Sequence, residues 1–290
     1  MVNILVTGAN GQLGSEIREI ARNYQGYNFL FTDVEDLDIT IHSAVKKYVE
    51  SNRINVIINC AAYTAVEKAE SEPEIANKIN HLAVNNFAKL SKENRIKLIH
   101  ISTDYVFDGT NDKPYTETDK PNPLTVYGKT KLYGELAVQQ INPANSIIIR
   151  TSWVYSKFGN NFVKTMFRLA KNNDQISVVS DQIGSPTNAA DLAKMILKII
   201  SKISNETVEL FHYSNEGFCS WFEFAKVIFK GRNLDLYLES ISSNDFPSVA
   251  PRPNYSALNC EKIKKRFGFS ILDWKTSFNK IDFSSLAVEA

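Results

Sequence analysis

The sequence predicts an α/β fold, a Rossmann-type doubly wound parallel sheet with a smaller C-terminal lobe interleaved with it. Three observations carry this. Short apolar runs alternate with helix-length amphipathic stretches through the first half of the chain. The runs are nearly continuous rather than alternating in polarity, as expected for parallel strands covered on both faces. A glycine-rich turn, Gly8-x-x-Gly11-x-x-Gly14, separates the first run from the first helical stretch. Repeated strand-then-helix order implies right-handed crossovers, which put a ligand crevice at the carboxyl ends of the strands.

Strands are expected at Asn3 to Val6, Tyr27 to Thr32, Asn55 to Asn59, Lys97 to Ile101 and Ser146 to Arg150. Helices are expected between them, at Gln12 to Asn23, Ile41 to Asn52, Val66 to Asn94 and Pro123 to Gln140. After Arg150 the rhythm loosens, leaving a strand at Ile176 to Val179 and a helix at Asn188 to Ser201. A turn-rich aromatic third follows, with Phe211-His-Tyr, Cys219-Ser-Trp-Phe-Glu-Phe, the proline cluster Phe246-Pro247 to Arg252-Pro253, and a short helix at Cys260 to Phe267. Residues 1–152 are thus expected to form a nucleotide-binding domain and 153–290 mainly a substrate lobe, with about 176–203 returning to the first unit.

A chain of 290 residues with 43% hydrophobic content can bury a large core. Lys+Arg of 33 against Asp+Glu of 32 leaves a formal charge of +1, so no global field recruits nucleic acid or an anionic membrane, and any phosphate binding must be local. The chain reads from Met1 directly into a strand, without a signal-peptide pattern or an apolar run of membrane-spanning length. Cys60, Cys219 and Cys260 are odd in number and lack metal spacing, so a reduced cytoplasmic protein is expected. Four histidines share no spacing that would support a metal site or proton relay.

The stretch Gly8-Ala9-Asn10-Gly11-Gln12-Leu13-Gly14 sits between strand and helix, where glycines permit a tight turn and bring backbone and helix N-terminus to a pyrophosphate. Asp33 ends the second strand, where a carboxylate can accept hydrogen bonds from an adenosine ribose and disfavours a 2′-phosphate. Asp38-Ile39-Thr40 can line the adenine edge, although an acidic loop near a helix cap reads the same way. Asn59-Cys60-Ala61-Ala62-Tyr63 ends the third strand with small residues, leaving room for the middle of a dinucleotide.

Tyr127 and Lys131 form the only Tyr-x-x-x-Lys pair in the chain. Four residues apart on a helix they share a face, so the ammonium can hold the phenol's pKa down and let it exchange a proton near neutral pH. Upstream, Ser102-Thr103-Asp104 closes a strand; a hydroxyl there can donate to a carbonyl oxygen beside the phenol. Lys131 can also bond a nicotinamide ribose. Together these residues point to nicotinamide-dependent carbonyl chemistry. On the substrate side, Trp153 suits stacking over a sugar, shielding of a nicotinamide, or core packing. Asn161, in Gly159-Asn-Asn-Phe162, offers an amide after a turn, and Arg252-Pro253 holds a guanidinium in a rigid loop that suits a diphosphate.

The glycine loop, Asn59-Cys-Ala-Ala, Ser102-Thr-Asp-Tyr-Val-Phe-Asp-Gly109 and Val126-Tyr-Gly-Lys-Thr-Lys131 together resemble the extended short-chain dehydrogenases/reductases. Within them, Thr64-Ala-Val-Glu-Lys-Ala-Glu70, Arg150-Thr-Ser-Trp-Val-Tyr155, Gly159-Asn-Asn-Phe-Val-Lys-Thr-Met166 and Asp181-Gln-Ile-Gly-Ser-Pro-Thr187 resemble the dTDP-4-dehydrorhamnose reductase family. The resemblance runs from Asn3 to about Trp274. It implies reduction of the 4-keto group of dTDP-4-dehydro-β-L-rhamnose by NADPH or NADH. It assigns Thr103 to polarising the carbonyl, Tyr127 to protonating the alkoxide, and Lys131 to anchoring the cofactor and tuning the tyrosine. It also implies that Gly11, Gln12 and Leu13 meet the pyrophosphate, Asp33, Asp38 and Ile39 the adenosine end, and Ala61, Ala62 and Tyr63 the central dinucleotide. Thr103, Asp104 and Trp153 would contact the sugar nucleotide.

Some members of the family dimerise through carboxylates sharing Mg²⁺, and Glu16 is a candidate for one such ligand, but Ala189-Ala190 stand where a second acidic residue would be expected. No structural metal is expected, and the chain is read as a monomer or homodimer. Two alternatives stay open. A nucleotide-sugar epimerase or dehydratase shares the broad family, yet Thr103 is followed by Asp104-Tyr105 and not by the Asp-Glu pair suited to dehydration. A non-catalytic NADP-binding regulatory subunit would have lost active-site residues, whereas Thr103, Tyr127 and Lys131 are intact.

Overall fold

The structure, a computed structural model, describes residues 1–231 and 236–282. Strands β1 (Val2–Thr7), β2 (Tyr27–Thr32), β3 (Val56–Asn59), β4 (Lys97–Thr103) and β5 (Ser146–Thr151) join a sixth strand, Glu209–His212, in one sheet. Every pairing in it is parallel, and the spatial order is Glu209–His212, β5, β4, β3, β1, β2. The chain starts at β1, adds β2 on one side and then crosses to add β3 on the other. The crevice between β1 and β3 is therefore the topological switch point, where doubly wound sheets bind ligands.

The helices beside the sheet are α1 (Gln12–Ala21), α2 (His42–Ser51), α3 (Val66–Ala69), α4 (Pro73–Asn77), α5 (Ala83–Asn94) and α6 (Val126–Ile141), followed later by Ala189–Ile199. The period-two geometry of the strands divides their apolar residues between two cores. Ile4, Val6, Ile58, Ile99 and Ile149 pack with Leu13 and Ile17 of α1 and with Leu192 and Ile196. The intervening Leu5, Ile57, Leu98 and Ile148 pack with Val45, Val49, Val84, Phe87, Leu90 and Val138 of α2, α5 and α6. Each such fully buried side chain contributes about 1.5–3 kcal/mol, so the two cores dominate the stability of the sheet.

Three expectations are revised. The single helix expected from Val66 to Asn94 is broken into α3, α4, a π-helical turn at Lys78–Leu82, and α5. Pro73 starts α4, where its missing N–H is tolerated, and it cannot continue the ladder from α3. In the π turn, the buried Asn80 amide reaches the Tyr63 N–H at 2.8 Å, the Tyr63 carbonyl at 3.0 Å and the Thr130 hydroxyl at 3.2 Å. Phe211-His212, read as part of the aromatic C-terminal third, instead lies in the edge strand beside β5.

The strand Gln175–Val179 pairs with Tyr237–Ile241, apart from the large sheet. Its Ile176 and Val178 pack with Phe224, Ile228 and Trp274 in a third core. The chain returns to the large sheet's flank only at the helix Ala189–Ile199, which packs on α1. Residues 283–290, included in the C-terminal lobe from the sequence, lie outside the described residues.

Candidate active site

A cleft of about 940 Å³ opens along the carboxyl ends of the strands. Gly8, Gly11, Gln12, Leu13, Asp33, Asp38, Ile39, Ala61, Ala62, Thr103, Asp104, Tyr127, Lys131, Trp153 and Arg252, all singled out from the sequence, line it. Asn10, Gly14, Tyr63 and Asn161 do not.

The glycine loop closes on β3. Gly8 has φ +63°, and a Cβ there would lie 2.7 Å from the Ala61 backbone, so only glycine allows this approach. Gly14 packs against Gly8 and Ala9, which seats α1 on the loop without facing the cleft. Asp33 accepts from the Asn10 N–H at 2.8 Å and from the Val34 N–H at 2.9 Å, so its carboxylate is fixed at the end of β2. Asn10 is tied to the cleft residue Asp33 through that backbone bond, while its side-chain oxygen accepts from Arg18 at 3.3 Å, away from the cleft.

Tyr63 hydrogen-bonds the Glu72 carboxylate, which takes its ring out of the cleft wall. The Asn161 side chain is fully engaged: its Oδ1 caps the helix Phe162–Asn172 through the Lys164 N–H at 3.1 Å, and its Nδ2 donates to the Gln12 Oε1 at 3.1 Å and the Ser156 carbonyl at 2.8 Å. The expected substrate contact at Asn161 is replaced by this positioning of Gln12, and the neighbouring Asn160 lines the cleft instead.

Thr103 ends β4, and α6 starts at Val126, whose N–H is taken by the Glu70 Oε1 at 2.8 Å. Thr125 caps α6 by accepting from the Gly128 N–H at 3.0 Å. Gly128 is needed there because a Cβ would stand 2.2 Å from the Tyr105 carbonyl oxygen. These contacts bring Tyr127 and Lys131 under the end of β4. Burial pushes the Tyr127 phenol well above its usual pKa, against a hydrogen bond with Thr103 that favours the phenolate, while Asp104 and Tyr105 add to the rise. The expected lowering of the phenol's pKa by Lys131 is not among the influences on Tyr127, whose net shift is upward, and the buried Lys131 ammonium donates to the Ile101 carbonyl at 2.6 Å. Burial pulls Lys131 itself down to about 8, opposed by Glu135 and Cys60.

Asp104 is almost sealed. Burial raises its carboxyl to about 6, against hydrogen bonds from Ser256 and Thr103. Its Oδ1 accepts from the Thr103 hydroxyl at 3.1 Å, while Oδ2 has no partner. The Arg252 Nε is likewise buried and unpartnered. Trp153 has φ +46°, a left-handed conformation costing a residue of this kind about 1–2 kcal/mol. Its ring stacks on Trp221 with centroids 3.4 Å apart and planes 6° from parallel. Core packing and site lining thus coincide at Trp153, and one of its faces is taken.

Sequence reasoning passed over Trp221, Asn80 and Glu67. Trp221 had a readable signal, since Ser220 and Glu223 form a capping box that starts its helix. Glu67 stood inside the quoted stretch Thr64–Glu70 without a role of its own, and Asn80 had no signal; both act through contacts distant in sequence. Among the described residues, no cluster of three or more His, Cys, Asp or Glu is gathered as a metal site, and Glu16 is buried with the Ser156 hydroxyl on its Oε1 at 2.6 Å. No helix among the described residues is long and apolar enough to cross a membrane.

The glycine cradle, the carboxylate fixed at the end of β2, the small residues after β3 and the buried ammonium of Lys131 fit a nicotinamide dinucleotide laid across the switch point. Fold and site together define a dinucleotide-dependent reductase of the short-chain dehydrogenase type. The chain belongs to the RmlD family, matching the RmlD substrate binding domain over residues 2–282. It is 41% identical over 290 residues to the dTDP-4-dehydrorhamnose reductase of Aggregatibacter actinomycetemcomitans, covering 97% of this chain and 98% of that one. Solved structures agree. A dTDP-4-dehydrorhamnose reductase from Clostridium acetobutylicum superposes with a TM-score of 0.92 at 42% identity, over 99% of this chain and 100% of its own. The Bacillus anthracis reductase, solved in complex with NADP, gives 0.91 at 40% identity over 100% of both chains.

Proposed function

We propose that this chain reduces the 4-keto group of dTDP-4-dehydro-β-L-rhamnose to give dTDP-L-rhamnose, using NADPH or NADH. The observation that carries the reading is the meeting of Thr103, Tyr127 and Lys131 in one cleft with the glycine cradle, in a chain whose curated relatives bear that activity in their names. When bound, the dinucleotide supplies a hydride. The chain's residues do the rest. Gly11, Gln12 and Leu13 hold the pyrophosphate, Asp33, Asp38 and Ile39 the adenosine end, and Ala61 and Ala62 the centre, with Asn10, Gly8 and Gly14 shaping the loop. Tyr63 supports the central strand end from behind.

Thr103 and Tyr127 hydrogen-bond the ketone oxygen. A phenol is protonated at neutral pH, and burial only raises its pKa further, so Tyr127 enters as a proton donor, and its proton passes to the oxygen as charge develops there. Lys131 holds the nicotinamide ribose and supplies positive charge close to the site. Asp104, with one oxygen unpartnered, accepts from a sugar hydroxyl. Trp153 walls the sugar site with Trp221, Asn161 acts through Gln12, and the buried, unpartnered Nε of Arg252 suits the diphosphate. Cys60, Cys219 and Cys260 are free thiols, which supports a reducing, cytoplasmic setting.

The test is oxidation of NADPH and NADH, followed by absorbance, with dTDP-4-dehydro-6-deoxyglucose and a 3,5-epimerase. Epimerase-dependent oxidation yielding dTDP-L-rhamnose is expected. Dinucleotide binding without oxidation by either cofactor would overturn the reading.

A further inference from the structure

Residues 242–254 run from the small sheet to the bridge between Ile183 and Tyr255 and carry Arg252 to the cleft wall. Three prolines, Pro247, Pro251 and Pro253, limit the backbone conformations of this strap. Both ends are tied down. The Asp181 carboxylate accepts from the Ser243 N–H at 2.9 Å and the Ser243 hydroxyl at 2.9 Å, and the Asn254 carbonyl accepts from the Ile183 N–H at 2.8 Å.

The middle has one polar anchor, a carboxylate. Glu67, on α3 and 181 residues away, accepts from the Ser248 hydroxyl at 2.7 Å through Oε1, and from the Val249 and Ala250 N–H groups at 2.9 and 3.1 Å through Oε2. Its Oε1 also meets the Arg252 Nη2 at 3.4 Å. Among the described residues, the hydrogen bonds joining 248–250 to the rest of the chain all end on this carboxylate. Val249 is 79% exposed while its neighbour Ala250 is fully buried, so the tip is held by the burial of one small side chain and by this carboxylate. Burial alone would raise the Glu67 carboxyl, but the hydrogen bonds from Ser248, Ala250, Val249 and Arg252 together hold it below its ordinary value, so it stays ionised at neutral pH. Three short bonds to the loop and one longer bond to the guanidinium mean that Arg252 can turn to another anion while the loop stays anchored.

We propose that Glu67 is the positioning residue of the diphosphate subsite: it fixes the strap so that Arg252 faces the cleft, and it releases the guanidinium to a nucleoside diphosphate when one binds. This rests on the substrate reading above. A diphosphate offers Arg252 bidentate, charge-assisted hydrogen bonds, which are stronger than the 3.4 Å contact it replaces. The role is distinct from those of Tyr127 and Thr103 because Glu67, unlike them, does not line the cleft.

The experiment is calorimetric titration of the full chain with thymidine diphosphate, and separately with NADPH, for the wild type, Glu67→Ala, Arg252→Ala and the double variant. Glu67→Ala is expected to weaken thymidine diphosphate about 10-fold, the scale of a lost charge-assisted bond, with NADPH affinity unchanged. The double variant should lose no more than Arg252→Ala alone, since Glu67 acts through Arg252. Unchanged thymidine diphosphate affinity in Glu67→Ala, losses that add in the double variant, or an equal loss of NADPH affinity would each overturn the positioning role. A wild-type chain that binds NADPH but no thymidine diphosphate would instead defeat the substrate reading on which it rests.

Discussion

Glu135 grips Arg150 with both carboxylate oxygens, Oε1 to Nε at 2.9 Å and Oε2 to Nη2 at 2.6 Å, with both side chains sealed from solvent. The pair stands one helical turn behind Lys131, and the Ser102 hydroxyl adds a third bond to Oε1 at 2.5 Å. It joins α6 to β4 and β5 directly beneath Thr103. Arg150 also lies over the Phe107 ring, 5.0 Å from its centroid. The helix that carries Tyr127 is thus tied to the strand that carries Thr103 by charge as well as by packing.

Breaking one partner leaves the other charge buried. Arg150→Met should therefore cost about 3–5 kcal/mol of unfolding free energy, whereas Arg150→Met with Glu135→Leu should recover much of that loss. Urea unfolding of the single and double variants checks this, and a single variant with the wild-type midpoint and slope would contradict it.

Lys131 should be a residue that costs stability. Its folded pKa of about 8 lies below the ordinary lysine value of 10.5, so between those values the unfolded chain binds more protons. The penalty is fully present below about pH 8 and is relieved as pH rises towards 10.5. Lys131→Met should accordingly be more stable than the wild type near neutral pH, by at most about 3 kcal/mol, while losing turnover. Melting curves taken at a series of pH values should show the variant's advantage shrinking above about pH 8; an advantage that grows with pH would refute the assignment.

Asp104 shifts the opposite way and gives an acid limb. Its carboxyl is raised to about 6 from 3.8 by burial, so its contribution to stability is present below 3.8 and is lost as pH rises through about 6. For binding the sense reverses, because the ionised carboxylate is the stronger acceptor for a sugar hydroxyl at the unpartnered Oδ2. The wild-type kcat/KM should fall below about pH 6, and Asp104→Asn should lose that limb along with part of its affinity. An unchanged limb in Asp104→Asn would assign it to another group.

The sequence made the central sheet legible because its strands are buried on both faces, so Asn3 to Val6 and Asn55 to Asn59 read as apolar runs without help from neighbours. It made Thr103, Tyr127 and Lys131 legible because their spacing is local. The break at Pro73 was written in the chain but masked by helical composition on both sides of it. The edge strand Glu209–His212 was hidden because its only neighbour in the sheet, β5, is far away in sequence. The same holds for Glu67, whose donors lie 181 to 185 residues on. The sign of the Tyr127 shift was also out of reach: spacing supplies a neighbouring cation but not the burial that raises the phenol.

In the proposed reaction Tyr127 completes a hydride reduction at the sugar C4. The most direct measurement is turnover of dTDP-4-dehydro-β-L-rhamnose with NADPH carrying deuterium at the nicotinamide C4, reading the label in the product by NMR. The wild type should place deuterium on C4 of dTDP-L-rhamnose, and Tyr127→Phe should do so about 10² to 10⁴ times more slowly while still binding NADPH. Label at any other carbon, or labelling by Tyr127→Phe at the wild-type rate, would contradict the account.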